Sequence, residues 1–489
     1  MIRNRVRLLR NRYIKIIDDV LCIILNALNP LNFFLSHKIF NKKITDKNFN
    51  ILSFPHFCCS LKSLFSVLNS CRVLFAFLLW LALLSMAYAE QDLTFSNFSK
   101  NVSLIRPGTI KQETDYLIQN ADIRVTLSNR LIVKTLGKIT RTQVMAFDSH
   151  IKKVTELYAG RGFHYFSVEL KAADSLPSLL NKLSQNPSVL LVQPDVLQLK
   201  ENAAVSTPNE KITSHIDQAY LQQLGISQLW KRTKGSGAKL AIIDDGIDLT
   251  HPAFINLDTE FAYDTQTQTL SAVPVNAIDS HGTQVAGVIF APINNKELKG
   301  IAPEAQLIAI RQPDTWTSNT LLAFNLAALA HADIINCSWN THYLLEPVAD
   351  VVNDLAVYGR EGKGTAIIFS AGNEGVPLAQ MKTEATINSA ITVGALDAQG
   401  AMLASSNYGA GVDLSVYGAG VRSTANQGKY RSFSGTSLSA AIVSGLAALL
   451  ISEQPDITLN ELQQKIQQRS SSASQVQLSN LANKTNVNP

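Results

Sequence analysis

Cysteine is almost missing from most of this 489-residue chain. Four of the five cysteines lie before residue 90, and only Cys337 follows. A single cysteine cannot form an internal disulfide or a zinc site built on cysteine ligands, so both are excluded within residues 90–489. The shortage does not identify a compartment, because many exported bacterial proteins also lack disulfides.

A surplus of positive charge is also missing once the N-terminal segment is set aside. Of the 43 Lys and Arg residues, 12 lie in residues 1–89, together with only 3 of the 38 Asp and Glu residues. The rest of the chain has a small acidic excess, so its charge gives no reason to propose nucleic acid as a partner. Hydrophobic residues make up 46% and charged residues 17%, which is typical of a globular chain and excludes a disordered one.

An apolar run over residues 73–84 follows the basic residue Arg72 and precedes the small-residue site Ala87–Ala89. This order of basic flank, apolar run and small residues predicts a secretory signal peptide over residues 71–89, cleaved after Ala89. A transmembrane anchor is the alternative, but the run is shorter than the ~20 residues that span a bilayer.

Residues 1–70 form a basic, Asn-rich extension of doubtful status in front of that signal. One hypothesis is that translation begins close to Lys62. A precursor that starts at Met1 would contradict it.

Residues 130–200 carry the pattern of a small α+β domain. Its predicted elements are strands at Leu131–Lys134, His164–Leu170 and Val189–Val192 and a helix at Ser175–Leu183. Residues 90–129 are polar and weakly patterned, and are predicted to be a lead segment. Residues 201–215 read as an exposed linker that proteases cut easily.

From residue 216 to 470, short apolar strands alternate with helical patterns, and a polar tail follows over residues 471–489. The alternation predicts an α/β domain whose mostly parallel sheet is covered on both faces. Active sites of such sheets lie at the carboxyl ends of the strands. The predicted strands are Leu240–Ile243, Gln306–Ile310, Asp333–Cys337, Thr365–Ser370 and Ile391–Ala395, and the predicted helices are Thr283–Phe290, Asn319–Ala332, Val348–Arg360, Leu438–Ser452 and Leu459–Gln468.

Four polar residues stand where these elements end or begin. Asp244 and Asn373 follow strands, His281 precedes a helix of small residues, and Ser437 opens an apolar helix. Each alone also fits a structural role, as an acidic turn, a turn asparagine, a helix-start histidine or an N-cap serine. Together they fit nucleophilic catalysis, which needs a base for the hydroxyl proton, a carboxylate to hold the base and donors for the oxyanion.

Residues 216–470 resemble the catalytic domain of the subtilisin (subtilase) family of serine proteases. The resemblance implies a subtilisin-like three-layer α/β domain, with Asp244 as orienting acid, His281 as general base and then acid, Ser437 as nucleophile and Asn373 as oxyanion donor beside the backbone N–H of Ser437. It implies no cofactor for the chemistry. The matching runs are Ala241–Asp248, His251–Pro252, Ser280–Thr283, Gly300–Pro303, Ile334–Ser338, Ser370–Glu374 and Ser434–Ser437.

Residues 130–200 resemble the inhibitory propeptide of the same family. The resemblance implies an exported proenzyme, secreted or periplasmic, which is cleaved within Lys200–Ser214. Its partners would be protein or peptide substrates and its own propeptide, with membrane contact only during export.

The sequence departs from the family pattern at several positions. Ala441 replaces a proline that shapes the helix start without performing chemistry, so activity is expected to survive. Ala253 replaces an aspartate that is often a calcium ligand, so no calcium is predicted there, although Asn294 and Asn295 fall in the matching loop. Structural calcium elsewhere stays possible.

Ser338, Trp339 and Asn340 stand where the family has the Ser-Leu-Gly that lines the substrate cleft. They are predicted to bind substrate. Trp339 is expected to narrow an apolar subsite, and Asn340 to hinder strand-like pairing with the substrate, so we expect narrowed specificity.

Two other functions are alternatives to the protease hypothesis. A degenerate subtilase that binds peptides without cutting them is disfavoured, because all four catalytic positions carry the required residues. A serine esterase of the α/β-hydrolase kind needs Gly-x-Ser-x-Gly and a histidine after the serine. Here the histidine precedes the serine, and the nucleophile run has a different pattern.

Overall fold

The computed structural model describes residues 93–106, 114–119, 121, 123–199, 201–202, 218–276 and 278–471. All of them belong to one compact unit, Glu90–Pro489. The extension over residues 1–70, the signal peptide and nearly all of the polar tail lie outside the described residues, as does most of the linker.

The first part of the described chain is a seven-stranded antiparallel sheet. The strand order is β1-β2-β3-β4-β6-β5, and β7 pairs with the long central strand β4. The elements are β1 (Leu93–Asn97), β2 (Lys100–Ile105), β3 (Asp115–Ile118), β4 (Ile123–Leu136), α1 (Arg141–Met145), β5 (Ile151–Ala159), β6 (Phe163–Leu170), α2 (Leu176–Ser184) and β7 (Val189–Leu197).

Three of these strands lie where the sequence predicts only a polar lead segment. β1, β2 and β3 extend the sheet from the first half of β4. Alternate residues point inward, and Leu93, Phe95, Val102 and Leu104 are buried in the core of this domain. The boundary at residue 130 therefore falls inside β4 and does not separate two structural units.

The second part is a seven-stranded parallel sheet in the order β10-β11-β9-β12-β14-β15-β16. Two short antiparallel pairs, β8 with β13 and β17 with β18, lie apart from it. The strands are β8 (Glu201–Asn202), β9 (Lys239–Asp244), β10 (Thr259–Asp264), β11 (Gln306–Arg311), β12 (Ile334–Cys337), β13 (Trp339–Asn340), β14 (Ala366–Ser370), β15 (Ile391–Leu396), β16 (Leu414–Tyr417), β17 (Val421–Ala425) and β18 (Lys429–Phe433).

Helices cover both faces of the parallel sheet. Successive residues of a strand point to opposite faces, so in β9 Leu240 and Ile242 join one core, whereas Ala241 and Ile243 join the other. The helices are α3 (Ala219–Gln223), α4 (Ile226–Leu229), α5 (His281–Phe290), α6 (Thr317–Leu329), α7 (Glu346–Gly362), α8 (Thr436–Glu453) and α9 (459–471), with α5 and α8 packed on the first face and α6 and α7 on the second. This is the predicted three-layer α/β arrangement.

Helix α8 lies at the centre of the helical layer on the first face of the parallel sheet. By length and composition it could cross a membrane, but 89% of its apolar 18-residue window is buried inside the protein. An apolar helix surrounded by protein needs no polar face, which explains why the sequence from Thr436 to Ile451 is apolar or small on every side.

The antiparallel sheet packs against α6 and α7, the two helices on the second face of the parallel sheet. Ile132, Tyr158 and Tyr165 of that sheet belong to the same apolar core as the two helices. Polar contacts surround this core: Tyr158 donates a hydrogen bond to Asp354 (2.8 Å), and Lys134 forms an ion pair with Asp350 (2.7 Å).

Candidate active site

Asp244 and His281 form a buried pair at the carboxyl edge of the parallel sheet. Asp244 is the last residue of β9, and His281 is the first residue of α5. Nδ1 of His281 lies 3.0 Å from Oδ1 and 2.9 Å from Oδ2 of Asp244, and the two side chains are 5% and 1% exposed. A carboxylate at Nδ1 holds the imidazole in the tautomer whose Nε2 can take a proton.

Asp245 fixes the start of the helix that carries His281. Its carboxylate accepts the backbone N–H groups of His281 (3.0 Å) and Gly282 (2.8 Å). These are N–H groups of the first helical turn, which have no partner inside the helix. The sequence pattern predicts a role for Asp244 alone, although an acidic residue next to it is a signal for a helix cap.

Arg311 anchors the loop that leads to His281. It is the last residue of β11, directly beside Asp244 in the parallel register. Its buried guanidinium binds Asp264 (2.8 Å) and Asp279 (3.3 Å), and Asp279 lies two residues before His281. No local sequence pattern predicts this link, because its partners are far apart in the chain.

Helix α8 begins beside the imidazole. The ring of Phe433 meets the ring of His281 edge-on, with centroids 5.6 Å apart. The side chain of Gln284 donates to the carbonyl of Ser432 (2.9 Å). Phe433, which contacts His281, lies four residues before Ser437, the second residue of α8.

Gly435 allows this helix start. It occupies the N-cap position with φ of 89°, a conformation that favours glycine. Oγ of Ser437 donates to the carbonyl of Ser338 at 3.0 Å, and Ser437 is fully buried. Since Ser338 follows β12, the neighbour of β9, this contact places Ser437 at the same sheet edge as Asp244.

Asn373 lies at the same helix start. Its Oδ1 accepts the backbone N–H of Thr436 (3.0 Å) and the hydroxyl of Thr436 (3.1 Å). These bonds assign the oxygen of the amide to the helix N-terminus, so Nδ2 is the group that can donate to another acceptor.

Trp339 does not line an apolar substrate subsite in the structure, contrary to the prediction from the sequence. The side chain is fully buried in the core between the parallel sheet and helices α6 and α7, and its Nε1 donates to the carbonyl of Ile243 at 2.7 Å. Its ring meets that of Phe369 edge-on. The indole therefore packs between strands and helices and does not narrow an apolar subsite.

Asn340 does not prevent strand pairing with a segment of its own chain. β13 pairs antiparallel with β8, with Asn340 opposite Glu201 and Trp339 opposite Asn202. The pairing uses backbone groups, which an asparagine offers as well as a glycine does. The Asn340 side chain turns away and donates to the carbonyl of Ser370 at 2.7 Å.

His251 and the loop that carries Asn295 have structural roles. His251 is buried and bridges the carbonyl of Lys429 and the N–H of Ala253; burial lowers its pKa. Ala253 offers no side-chain oxygen, and Oδ1 of Asn295 accepts two backbone N–H groups of its own loop. These residues do not fit a calcium site. Among the described residues, no group of three or more His, Cys, Asp or Glu side chains could hold a metal ion.

Comparisons with known proteins agree with this geometry. The model of the subtilase family (peptidase S8) matches residues 235–485, just over half of the chain. The thermophilic serine proteinase of Bacillus sp. (strain AK1) is 33% identical over 288 residues, which are 57% of this chain and 67% of that protein. Thermitase of Thermoactinomyces vulgaris is 32% identical over 252 residues, which are 50% of this chain and 86% of thermitase.

Among solved structures, a cold adapted subtilisin-like serine proteinase matches with a TM-score of 0.41 and 24% identity, over 48% of this chain and 82% of that one. The family match and the identity to the two proteinases establish the assignment. The chain belongs to the subtilase family and is a serine endopeptidase.

Proposed function

We propose that this endopeptidase is exported, is made as a proenzyme and hydrolyses peptide bonds through an acyl-enzyme on Ser437. The observation that carries the catalytic part is the buried contact of Asp244 with Nδ1 of His281 at 2.9 Å. In the proposed reaction, Nε2 of His281 takes the proton of Ser437 while Oγ attacks the substrate carbonyl. The same imidazole then gives its proton to the leaving amine.

The oxyanion of the tetrahedral intermediate would lie at the start of α8. The backbone N–H of Ser437 and Nδ2 of Asn373 are the proposed donors. The hydroxyl of Ser437 now donates to Ser338, so it must turn from that carbonyl towards His281 before it attacks. This acyl transfer uses protein groups alone, and we propose that it needs no cofactor.

The test is active-site labelling of the mature enzyme with a fluorophosphonate. We expect labelling at Ser437 and its loss, with loss of amidase activity, in Ser437→Ala. Ser439→Ala is a matched control, because Ser439 lies in the same helix and donates to the carbonyls of Val416 and Tyr417. If the folded, mature protein takes no label, the catalytic proposal is wrong.

The proposed propeptide is the antiparallel sheet domain that ends in Asn202. Two features support it: the domain packs on α6 and α7, and its terminal strand β8 lies along β13, directly after Ser338. A strand in that place occupies the path of an extended substrate. Its own propeptide is therefore a proposed partner, besides protein or peptide substrates.

Export to the periplasm or the medium rests on the signal pattern at residues 71–89. Mass spectrometry of the protein from both fractions tests it. Mature protein that stays in the cytoplasm with residues 71–89 attached contradicts export, and it leaves the catalytic proposal untouched.

A further inference from the structure

One buried asparagine, Asn407, holds both sides of the loop that carries Asn373. Nδ2 of Asn407 donates to the carbonyl of Ala371 at 2.9 Å, and its backbone N–H donates to the carbonyl of Gly372 at 3.0 Å. On the other side of Asn373, Oδ1 of Asn407 accepts the backbone N–H of Val376 at 3.0 Å. Asn407 is fully buried, so these bonds form without competition from solvent.

The partners of Asn407 fix the orientation of its amide. The carbonyl of Ala371 only accepts and the N–H of Val376 only donates, so the two contacts identify Nδ2 and Oδ1. Nδ2 also donates to the carboxylate of Glu374, the residue that follows Asn373. The position therefore needs both a donor and an acceptor, which an alanine side chain cannot supply and a serine hydroxyl can supply only in part.

Gly372 allows the loop to come close to Asn407. Its φ of 99° lies in the left-handed region that favours glycine, and a side-chain carbon at this position would overlap Nδ2 of Asn407. The contact between the loop and Asn407 therefore requires a glycine directly before Asn373.

Thr436, the first residue of α8, also holds Asn373. Oδ1 of Asn373 accepts the N–H and the hydroxyl of Thr436, and the same hydroxyl accepts the N–H of Gly372 at 3.2 Å. Thr436 thus fixes the amide oxygen of Asn373, while Asn407 fixes the backbone on both sides of it. Together these contacts set the direction of Nδ2 of Asn373, the proposed donor to the oxyanion. A displacement of about 1 Å can cost about 10²-fold in rate, so this direction matters.

We propose that Asn407 is a positioning residue for the oxyanion donor, which holds residues 371–376 so that Nδ2 of Asn373 points at the developing charge. The inference rests on the proposed protease function. Asn407 is enclosed and bonds to the loop, so it acts through Asn373 and not by contact with substrate. Preorganised donors stabilise the transition state more than the bound substrate, so loss of Asn407 should lower kcat and leave KM nearly unchanged.

The experiment measures kcat and KM of the mature enzyme on one peptide p-nitroanilide, with active molecules counted by fluorophosphonate titration. We expect Asn407→Ala to lower kcat by about 10- to 100-fold and to change KM by less than about twofold. Asn407→Ser should lose less, since its hydroxyl retains part of the bonding, and it decides the question if Asn407→Ala does not fold. An unchanged kcat, or a loss that lies only in KM, overturns the inference.

Asn295→Ala is the matched control. Asn295 also organises a loop, because its Oδ1 accepts the N–H groups of Glu297 and Leu298. That loop follows the C-terminal end of α5, whereas His281 is the first residue of that helix. Asn295→Ala should therefore lower the thermal midpoint and leave both kinetic constants near their parent values. An equal loss of kcat in this control would show that any loosened loop slows the enzyme, and it would overturn the inference.

A double-mutant cycle tests whether Asn407 acts through Asn373. In Asn373→Ala there is no amide to position, so adding Asn407→Ala should lower kcat by less than about twofold more. If the two losses multiply in full, Asn407 acts on the fold as a whole, and the inference is wrong although the protease function stands. A parent-like kcat in Asn373→Ala would contradict the oxyanion role of Asn373 and this inference with it. A folded, mature enzyme that takes no fluorophosphonate contradicts the protease function itself.

Discussion

Asp195 of the antiparallel sheet domain caps the helix that begins at Thr317 in the catalytic domain. Its Oδ1 accepts the N–H of Ser318 (2.9 Å), and its Oδ2 accepts the hydroxyl of Ser318 (2.8 Å) and Nε of Arg130 (2.7 Å). Trp316, at the N-cap, supplies no side-chain hydrogen bond of its own. Asp195 of the antiparallel sheet domain thus caps the N-terminus of α6 in the catalytic domain.

The first prediction follows from this cap. Asp195→Ala, made in an uncleaved Ser437→Ala background, leaves a guanidinium and a helix N-terminus without their acceptor. We expect the free energy of unfolding to fall by about 1–3 kcal/mol, because the buried N–H of Ser318 loses its acceptor while the guanidinium of Arg130, which is 33% exposed, can be solvated. Thermal or urea denaturation measures it.

The control is Lys152→Ala, which removes an ion pair to Glu169 whose lysine is 60% exposed. Exposed pairs contribute about 1 kcal/mol or less, so this variant should stay near the parent. Equal losses in the two variants would contradict the capping role of Asp195.

The second prediction concerns Asn373. Asn373→Ala removes the proposed side-chain donor to the oxyanion, which acts in the transition state and not in substrate binding. We expect kcat to fall by about 10²–10³, the range known from subtilisin itself, with KM nearly unchanged. Steady-state kinetics on one amide substrate separates the two constants.

Asn319→Ala is the matched control, since the Asn319 amide donates to Asp314 within its own loop and helix start. It should leave both constants near their parent values. A higher KM with unchanged kcat in Asn373→Ala would mean that the residue binds substrate and does not stabilise the oxyanion.

The sequence predicted the central strands and helices well because their patterns are strong. Continuous apolar runs mark strands buried on both faces, and the predicted strand at Gln306–Ile310 differs from the observed one by a single residue. Strand β10 (Thr259–Asp264) was missed, because an edge strand alternates with polar residues and resembles a loop. β1 to β3 were missed because polar residues interrupt their apolar residues too, although only β1 lies at an edge of its sheet.

Some features of the site can be predicted from the sequence and others cannot. The positions of Asp244 and His281 follow from strand and helix ends, which a local pattern reveals. The burial of Trp339 does not, because β13 has two residues and no periodicity to show which face its side chains take. The Asp245 cap and the Arg311 links join distant parts of the chain, so only the folded arrangement reveals them.

The third prediction is the N-terminus of the mature enzyme. Asn202, the last described residue of β8, pairs with Trp339, which directly follows Ser338, and the carbonyl of Ser338 accepts the Ser437 hydroxyl. We therefore expect cleavage within about three residues after Asn202, inside the window Lys200–Ser214. Intact mass and N-terminal sequencing give the position.

Ser437→Ala purified alone should keep the whole domain attached. Cleavage of that variant at the same bond would show that another protease performs the processing. A mature chain that begins before Glu201 would contradict the register argument.

The last prediction is a pH dependence at Glu384. The carboxyl is 2% exposed and accepts the N–H (2.8 Å) and hydroxyl (2.7 Å) of Thr341. Burial raises its pKa, and the two hydrogen bonds from Thr341 oppose that rise only in part. No cation is paired with it in the described part of the chain, so its ionisation costs stability.

A carboxyl whose folded pKa is raised binds its proton more tightly in the folded state than in the unfolded one. Its contribution to stability is therefore present below the unfolded pKa of about 4.3 and is lost as pH rises through the folded pKa. In the Ser437→Ala background, the stability of the parent relative to Glu384→Gln should fall across this window, by about 1.4 kcal/mol per unit of pKa difference. Thr341→Val removes a hydrogen bond that lowers the pKa, so its decline should extend to higher pH. Denaturation midpoints between pH 4 and 9 test both, and a relative stability that rises with pH would show that Glu384 is held as a stabilised carboxylate.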